Sequence, residues 1–187
     1  MRLILHTDRL VLRPWRHSDA PEFARLASDL DVARMTGSFP HPMPEMSAEF
    51  KITHMLARQR MGKAHPYVIT QPNDDRLMGT TDLFDNGETN SFEIGYWLGK
   101  PHQGHGYATE AVTAVIQEAR NTLGTQTITA GVFTDNPASL RVLQKLGFEI
   151  TGMDDNYFSM ARMTKAPSHI LQLDLAKSHL AMASEDA

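Results

Sequence analysis

The spacing of apolar residues predicts an alternation of strands and helices along the chain. Two helices are predicted after the first strand, one capped by Ser18 and one beginning at Ser47. Short apolar runs between turn residues are typical of strands. Such runs occur at residues 9–13, 67–70, 77–84, 92–98, 127–132, 148–150 and 170–173.

The strongest helical signal follows the run at residues 92–98. Apolar residues recur there at steps of one, three and four, which is the spacing of one helix face, and Gly124 suits its end. A later helix is predicted from Asn136-Pro137 to Gly147, because asparagine caps helices and proline suits their first turn. Together the elements predict an α+β (mixed α/β) domain, with helices on both faces of a sheet of about seven mostly antiparallel strands.

Composition narrows the classes of protein that this chain fits. Its 187 residues suffice for one domain, expected over 1–175, and the small and charged residues 176–187 favour a frayed tail. A net charge of −4 argues against nucleic acid as a partner, and the absence of cysteine excludes disulfides and thiolate chemistry. No apolar run approaches the ~20 residues of a membrane span, so we expect a cytoplasmic protein without a membrane partner.

A glycine-rich turn separates the 92–98 strand from the strong helix. Backbone N–H groups at a helix start lack partners, and with the helix dipole they form an anion site suited to phosphate. A dinucleotide fingerprint is a weaker interpretation, since its third glycine would fall at Thr109. The nine histidines lack metal-binding spacing, and no metal site is predicted. The turn and first helical residues are Gln103, Gly104, His105, Gly106, Tyr107, Ala108 and Thr109.

Three motifs resemble the GNAT-type N-acetyltransferases, and within them the RimJ/RimL-like enzymes that acetylate ribosomal proteins. The chain opens with Thr7-Asp8-Arg9-Leu10-Val11-Leu12-Arg13-Pro14, which is similar to the opening of that subgroup. The turn Gln103–Ala108 resembles the family's acyl-CoA motif. Asn136–Ser139 with Lys145–Phe148 resembles its late strand–helix segment. The resemblance spans residues 7 to 150 and implies a sheet that splays at its central strands.

The resemblance also implies acetyl-CoA as co-substrate. Its pantetheine arm would lie between the 92–98 and 127–132 strands and add like an extra strand, with contacts from Trp97 and Leu98. The pyrophosphate would lie on the N–H groups of the turn, residues 103 to 109. Asn136 and Ser139 would hold the arm near the sulfur. Trp15, Phe39 and Tyr157 lie in segments that flank the family's acceptor cleft.

Acetyl transfer to an amine needs a base for the nucleophile, donors for the oxyanion and support for the leaving thiolate. The resemblance implies Glu93 as base and Ser139 as general acid. Glu93 could also be an exposed-face strand residue, and Ser139 could bond only its own helix turn. The chain departs from common family patterns at Leu143, where many members carry tyrosine, and at Phe158, where RimL-like enzymes carry glutamate.

These observations predict an acetyl-CoA-dependent N-acetyltransferase that works by direct attack of a primary amine. The acceptor is left open between a protein N-terminus and a small-molecule amine. Two other functions are also compatible with the glycine turn. The chain could be a CoA-binding sensor or regulatory domain without turnover, or a transferase that uses a longer acyl-CoA. The chain is expected to be a monomer or a homodimer.

Overall fold

The computed structural model describes residues 1–177, which form one sheet with helices packed on both faces. The strands are β1 Leu5–His6, β2 Val11–Arg13, β3 Ala64–Gln71, β4 Asp74–Asp85, β5 Ser91–Leu98, β6 Thr127–Phe133, β7 Glu149–Ser159 and β8 Thr164–Asp174. The helices are α1 Ala20–Ala27, α2 Leu30–Ala33, α3 Glu45–Arg60, α4 Tyr107–Leu123 and α5 Pro137–Lys145. Two short 3₁₀ turns precede α1 and α4, at His17–Asp19 and Lys100–His102.

The sheet has the order β1-β2-β3-β4-β5-β6-β8-β7, and its one parallel pair lies near the centre. That pair, β5 with β6, is in register only from Ser91 opposite Thr127 to Glu93 opposite Thr129. Both strands continue beyond this point, β5 to Leu98 and β6 to Phe133. The two strands therefore diverge and leave a cleft in the middle of the sheet.

Two apolar cores cover the opposite faces of the sheet. Neighbouring residues of β3 show this directly, because Ile69 belongs to one core and Val68 to the other, as the two-residue period of a strand requires. The first core contains the buried stripe of α4 and residues of α5, and we call the side of the sheet that it covers the α4 face. The second core contains residues of α1 and α3, and we call the side that it covers the α1/α3 face.

The mixed sheet and its central splay are confirmed, with eight strands where the sequence predicted about seven. The two short elements β1 and α2 were not predicted, because each is at most one turn or two residues long. The larger error lies after α5. The segment between residues 150 and 170 was predicted as a polar connection, but it is a hairpin of two 11-residue strands.

The physical reason for this error is the position of β7 at the edge of the sheet. Much of β7 is exposed on both sides, so its sequence lacks the alternation of apolar and polar residues that marks a half-buried strand. Its register also shifts between Asp154 and Tyr157, which interrupts the pattern further. The predicted tail begins at residue 176, and all of it beyond residue 177 lies outside the described residues.

Candidate active site

The glycine turn before α4 adopts the conformation that an anion site requires. Gly104 and Gly106 have φ angles of 81° and 82°, in the left-handed region that favours glycine. The first helical backbone bond runs from the N–H of Glu110 to the carbonyl of Gly106. Among residues 1–177, the N–H groups of residues 104–109 have no hydrogen-bond acceptor. These donors are therefore free to bind a phosphate at the N-terminus of a 17-residue helix.

An arginine from the N-terminal segment fixes this turn from outside. Arg9 donates from Nη1 to the carbonyl of His105 at 3.0 Å and from Nε to the Glu110 carboxylate at 2.7 Å. The same carboxylate accepts from the Arg9 N–H at 2.9 Å and from the Thr7 hydroxyl at 2.6 Å. The Arg9 guanidinium also lies over the Tyr107 ring, 4.9 Å from its centre. We call these groups the Arg9 clamp.

The other predicted cofactor residues lie around the clamp and the cleft. Gln103 donates its side-chain amide to the carbonyl of Leu98 at 2.9 Å, so it ties the end of β5 to the turn. The His105 ring stacks on Tyr107 with the ring centres 5.6 Å apart. Ala108 packs against the core of the α4 face, and Thr109 accepts a hydrogen bond at its carbonyl from Thr113.

A pair of hydroxyl groups faces the cleft on the α4 face. The oxygens of Tyr96 on β5 and Ser139 on α5 are 2.8 Å apart, and the Tyr96 hydroxyl is 3.1 Å from the Ser139 carbonyl. Asn136 caps α5 by accepting from the Ser139 N–H at 3.1 Å, as its place in the sequence predicts. Burial raises the pKa of Tyr96 to about 12, so its hydroxyl stays protonated at neutral pH.

Glu93 lies on the opposite, α1/α3 face of the same strand. It shares this face with Trp97, since residues four apart on a strand point the same way, and Trp97 packs on the α1/α3 core. The residue is exposed by surface area, yet crowding by protein around the carboxylate raises its pKa, opposed by the positive charge of Arg58. A raised pKa makes this carboxylate a stronger base, and its exposure leaves it open to a proton from a substrate.

Tyr157 is the predicted acceptor-side residue that the structure brings closest to Glu93. Burial and the negative charge of Glu93 both raise the pKa of Tyr157. Its ring lies 5.1 Å from that of Phe133 at the end of β6. At Gly37 a Cβ would stand 3.1 Å from the Tyr157 hydroxyl, so the loop after α2 approaches β7 closely here. These contacts place Tyr157 between the end of β6 and the loop after α2.

Trp15 and Phe39, the other two predicted acceptor residues, lie mainly in the core. They are 6% and 7% exposed, and both pack on Phe23 with ring centres 5.3 Å apart. Phe39 also meets Trp97 edge to face at 5.3 Å. The four rings of Trp15, Phe23, Phe39 and Trp97 form one aromatic cluster on the α1/α3 face. Phe39 additionally contacts Lys51 of α3, whose Nζ is 5.3 Å from the ring centre and 2.9 Å from the Ser38 hydroxyl.

A buried carboxyl on β4, which the sequence analysis did not single out, lies beside these rings. Asp82 is 9% exposed and accepts from the Thr80 hydroxyl at 3.0 Å. Burial raises its pKa to about 7, opposed by Thr80, Trp15 and the charge of Lys51. Within residues 1–177, Asp82 Oδ1 and Trp15 Nε1 have no partner of good hydrogen-bond geometry. The indole N–H nevertheless lies near enough to stabilise the ionised form of Asp82 and so to lower its pKa.

Sequence reasoning missed Tyr96, Asp82 and Glu110. Tyr96 and Asp82 each sit in an apolar strand, where a single polar residue carries no signal of its partner. Glu110 fits the preference of acidic residues for a helix start, and its pairing with Arg9 spans about a hundred positions. In the part of the chain that the structure describes, no three histidine or acidic side chains form a metal-binding cluster. Nor is any helix there long and apolar enough to span a membrane.

Comparison with known proteins identifies the family to which this arrangement is similar. The domain family described as "Acetyltransferase (GNAT) domain" matches residues 9–149. A probable N-acetyltransferase, YjcK of Bacillus subtilis, is 39% identical over 105 residues, which cover 55% of this chain and 58% of that protein. The [ribosomal protein uS5]-alanine N-acetyltransferase of Escherichia coli is 31% identical over 162 residues, covering 82% of this chain and 81% of its own.

Among solved structures, Mycobacterium smegmatis RimJ in complex with CoA-disulfide superposes with a TM-score of 0.79 at 21% identity. That match covers 90% of this chain and 83% of the other. At this identity the match supports the fold alone.

Proposed function

The chain belongs to the GNAT acetyltransferase family, and from this premise we propose that it moves an acetyl group from acetyl-CoA to a primary amine by direct attack. One observation carries the proposal. The turn with its unpaired N–H groups and the cleft between β5 and β6 lie at the same end of β5. A pyrophosphate on the turn would therefore direct the pantetheine arm into the cleft.

The residues present fit acetyl-CoA on physical grounds. Unpaired N–H groups and the helix dipole suit the negative charge of a pyrophosphate, and the left-handed glycines allow close approach. Beyond Glu93, the edge of β5 that faces β6 has no strand partner among residues 1–177, so an extended amide-bearing arm could bond there. When bound, acetyl-CoA supplies an activated thioester carbonyl.

The chemistry divides between the two faces of β5. On the α1/α3 face, Glu93 would take the proton that the amine loses as its nitrogen attacks the carbonyl carbon, directly or through a water. The C–N bond forms, the C–S bond breaks, and the electron pair stays on sulfur. Ser139 would serve the departing thiolate from the α4 face. The chain has no cysteine to form a thioester intermediate, so direct attack is the simplest route.

The proposed acceptors are a protein N-terminus or a small-molecule amine. An E. coli relative bears the name of an acetyltransferase for the alanine of ribosomal protein uS5, which supports the first. Glu93 and Tyr157 suit an amine without defining the rest of the acceptor. Acceptor identity depends on loops that vary within a fold.

Turnover is tested by release of the CoA thiol from acetyl-CoA with a panel of amines. The panel contains peptides with N-terminal alanine or serine, a polyamine and an aminoglycoside. We expect Glu93→Gln to lower kcat by ~10²–10⁴-fold, because a positioned base contributes about that much. Acetyl-CoA affinity should stay unchanged. Glu149→Gln, on exposed β7, serves as the matched control.

Two outcomes would favour other functions. Tight CoA binding without acetylation of any amine would favour a sensor domain. Faster turnover with propionyl- or longer acyl-CoA than with acetyl-CoA would favour a different acyl donor. Equal loss of turnover and of acetyl-CoA affinity in Glu93→Gln would contradict the role of Glu93 as base.

A further inference from the structure

We propose that Tyr96 and Ser139 act as a coupled pair of hydroxyl groups at the CoA sulfur, with Tyr96 as the positioning residue for Ser139. The inference rests on the proposed function, because it requires CoA in the cleft. Its first support is placement. Tyr96 lies beyond Glu93, where β5 has already separated from β6, and Ser139 lies in the first turn of the helix that follows β6. The pair thus bridges the two walls of the cleft.

The second support is the direction of the two side chains. Glu93 and Tyr96 are three residues apart on one strand, so they point to opposite faces. Tyr96 accordingly packs on the α4 core, whereas Trp97 packs on the α1/α3 core. A thioester lying in the cleft would then have the base on one side and the hydroxyl pair on the other.

The two hydroxyl hydrogens of Tyr96 and Ser139 can be arranged in two ways. Tyr96 has one hydroxyl hydrogen and two acceptors within reach, the Ser139 Oγ at 2.8 Å and the Ser139 carbonyl at 3.1 Å. When Tyr96 donates to the carbonyl, the serine hydrogen can bond Tyr96. When Tyr96 donates to Oγ, the serine hydrogen is released toward the cleft. Rotation of two hydroxyls therefore turns the pair into a donor for sulfur without moving the backbone.

The two hydroxyls suit a leaving thiolate better than either would alone. A serine hydroxyl is too weak an acid to remain as an alkoxide, so we assign the pair a hydrogen-bonding role. Ser139 donates to the sulfur as the C–S bond breaks, Tyr96 donates to Ser139, and bonds in such a chain strengthen one another. The thiolate then takes its proton from water, and the amine proton leaves through Glu93.

The pair also supplies a phenol that α5 itself lacks. Leu143, one helical turn after Ser139, is fully buried in the α4 core and cannot offer a hydroxyl. Tyr96 brings a phenol from the facing strand to Ser139 instead. The raised pKa of Tyr96 keeps this phenol a donor throughout the neutral range.

The test measures the pKa of the CoA thiol when CoA is bound, from the ultraviolet absorbance of the thiolate across a pH series. This readout needs neither turnover nor a known acceptor. We expect the unaltered protein to lower the pKa of the bound thiol relative to free CoA by about one unit, as one stabilising hydrogen bond would. Tyr96→Phe and Ser139→Ala should each abolish most of that shift, and the double variant should equal Ser139→Ala.

Tyr67→Phe is the matched control. Tyr67 lies on β3 on the same face, its pKa is also raised to about 12, and its hydroxyl donates to the Arg2 carbonyl away from the cleft. It loses a comparable buried hydroxyl bond, so it should leave the thiol pKa unchanged. Thermal unfolding of every variant shows whether the fold is retained.

Each outcome decides the inference. A bound thiol with an unshifted pKa in the unaltered protein would overturn the pair while leaving the proposed function intact. If Tyr96→Phe left the shift in the thiol pKa in place, Tyr96 would have no role at the sulfur. If Tyr96→Phe reduced that shift as much in the Ser139→Ala protein as in the unaltered one, Tyr96 would not act through Ser139. Failure of CoA to bind would overturn the proposed function and the pair together. Once an acceptor is known, Tyr96→Phe should lower kcat up to about tenfold at constant KM.

Discussion

The two sides of the cleft are held together by different interactions. On the proposed cofactor side, the turn before α4 is fixed by hydrogen bonds that Arg9 and Thr7 donate to Glu110 and His105, and its own N–H groups have no acceptor within residues 1–177. On the proposed acceptor side, four packed rings lie on the same face as titratable groups that have few partners among residues 1–177. Of these, Asp82 is buried and Glu93 and Lys51 are only partly shielded.

This contrast corresponds to the two tasks of a group-transfer site. A phosphate is best bound by donors that are rigid before it arrives, since little ordering is then needed on binding. An amine nucleophile needs a base whose pKa lies near neutrality, and incomplete hydration with few partners is what raises the pKa of a carboxyl group. The cofactor side should therefore respond to mutation mainly in affinity, and the acceptor side in pH dependence.

The largest expected effect concerns the buried carboxyl on the acceptor side. Asp82 has a folded-state pKa of about 7 against an ordinary value of 3.8. Between these values the folded state binds more protons than the unfolded state, so the free energy of unfolding falls as pH rises from about 4 to about 7. Asp82→Asn should remove this contribution, amounting to a few kcal/mol. Denaturant unfolding of both proteins across pH 4–8 measures it.

Asp85→Asn on the same strand is the control for that series. Lys63 lowers the pKa of Asp85, so this carboxyl stays ionised in the folded and unfolded states above about pH 5. The stability difference between Asp85→Asn and the unaltered protein should then be constant from pH 5 to 8. A constant difference for Asp82→Asn as well would show that Asp82 is ionised throughout and that the contrast between the two sides is wrong.

The next effect concerns the Arg9 clamp. Arg9→Ala removes the bonds that hold the His105 carbonyl and the Glu110 carboxylate, so the turn becomes less ordered. We expect acetyl-CoA affinity to fall about tenfold, in line with hydrogen bonds between charged groups at a partly exposed site. Affinity for acetyl-pantetheine, which lacks the pyrophosphate, should not change. Isothermal titration with the two ligands separates these effects.

Lys63→Ala provides a comparison of similar exposure for Arg9→Ala. The side chains of the Lys63–Asp85 pair are 56% and 24% exposed, and those of Arg9–Glu110 are 50% and 17% exposed. Lys63 lies at the far end of the sheet from the turn, so both ligands should bind this variant normally. If Arg9→Ala weakened both ligands equally, the clamp would support the fold rather than the phosphate cradle.

The smallest effect compares two glycines at the two ends of α4. Gly104 and Gly124 both have positive φ, and a Cβ at either would meet no atom within 4 Å. Alanine at either position should therefore lower the free energy of unfolding by a similar amount, about 1–2 kcal/mol, through backbone strain. Only Gly104→Ala should weaken acetyl-CoA, by a few-fold. Thermal unfolding and titration of both variants check this, and equal affinities would indicate that the turn tolerates the strain without losing its N–H geometry.

Local patterns predicted the glycine turn and helix α4 well, whereas the surroundings of Glu93 depend on contacts that no local pattern contains. The glycine turn and the apolar stripe of α4 are formed by residues that are neighbours in sequence. The two glycines, Gly104 and Gly106, therefore predicted the turn, and the spacing of the apolar residues predicted the helix. The contact of Tyr96 with Ser139 joins elements more than forty residues apart, and so does the effect of the Glu93 charge on the pKa of Tyr157. They depend on sheet order and strand register.

The burial of two predicted acceptor residues could not be predicted, for a similar reason. An aromatic residue in a loop segment, such as Trp15 or Phe39, has the same local sequence whether it lines a pocket or fills a core. The structure places both against Phe23, beneath the acceptor side. The polar edge strand β7 was missed because exposure on both faces removes the alternation that identifies strands.

The central claim is that the turn before α4 binds the pyrophosphate of acetyl-CoA. Isothermal titration of acetyl-CoA into the unaltered protein and into Gly106→Glu tests it most directly, because the variant places a carboxylate among the free N–H groups. We predict micromolar binding that the variant loses while its thermal unfolding remains cooperative. Equal binding by both proteins, or no binding by the unaltered one, would contradict the claim.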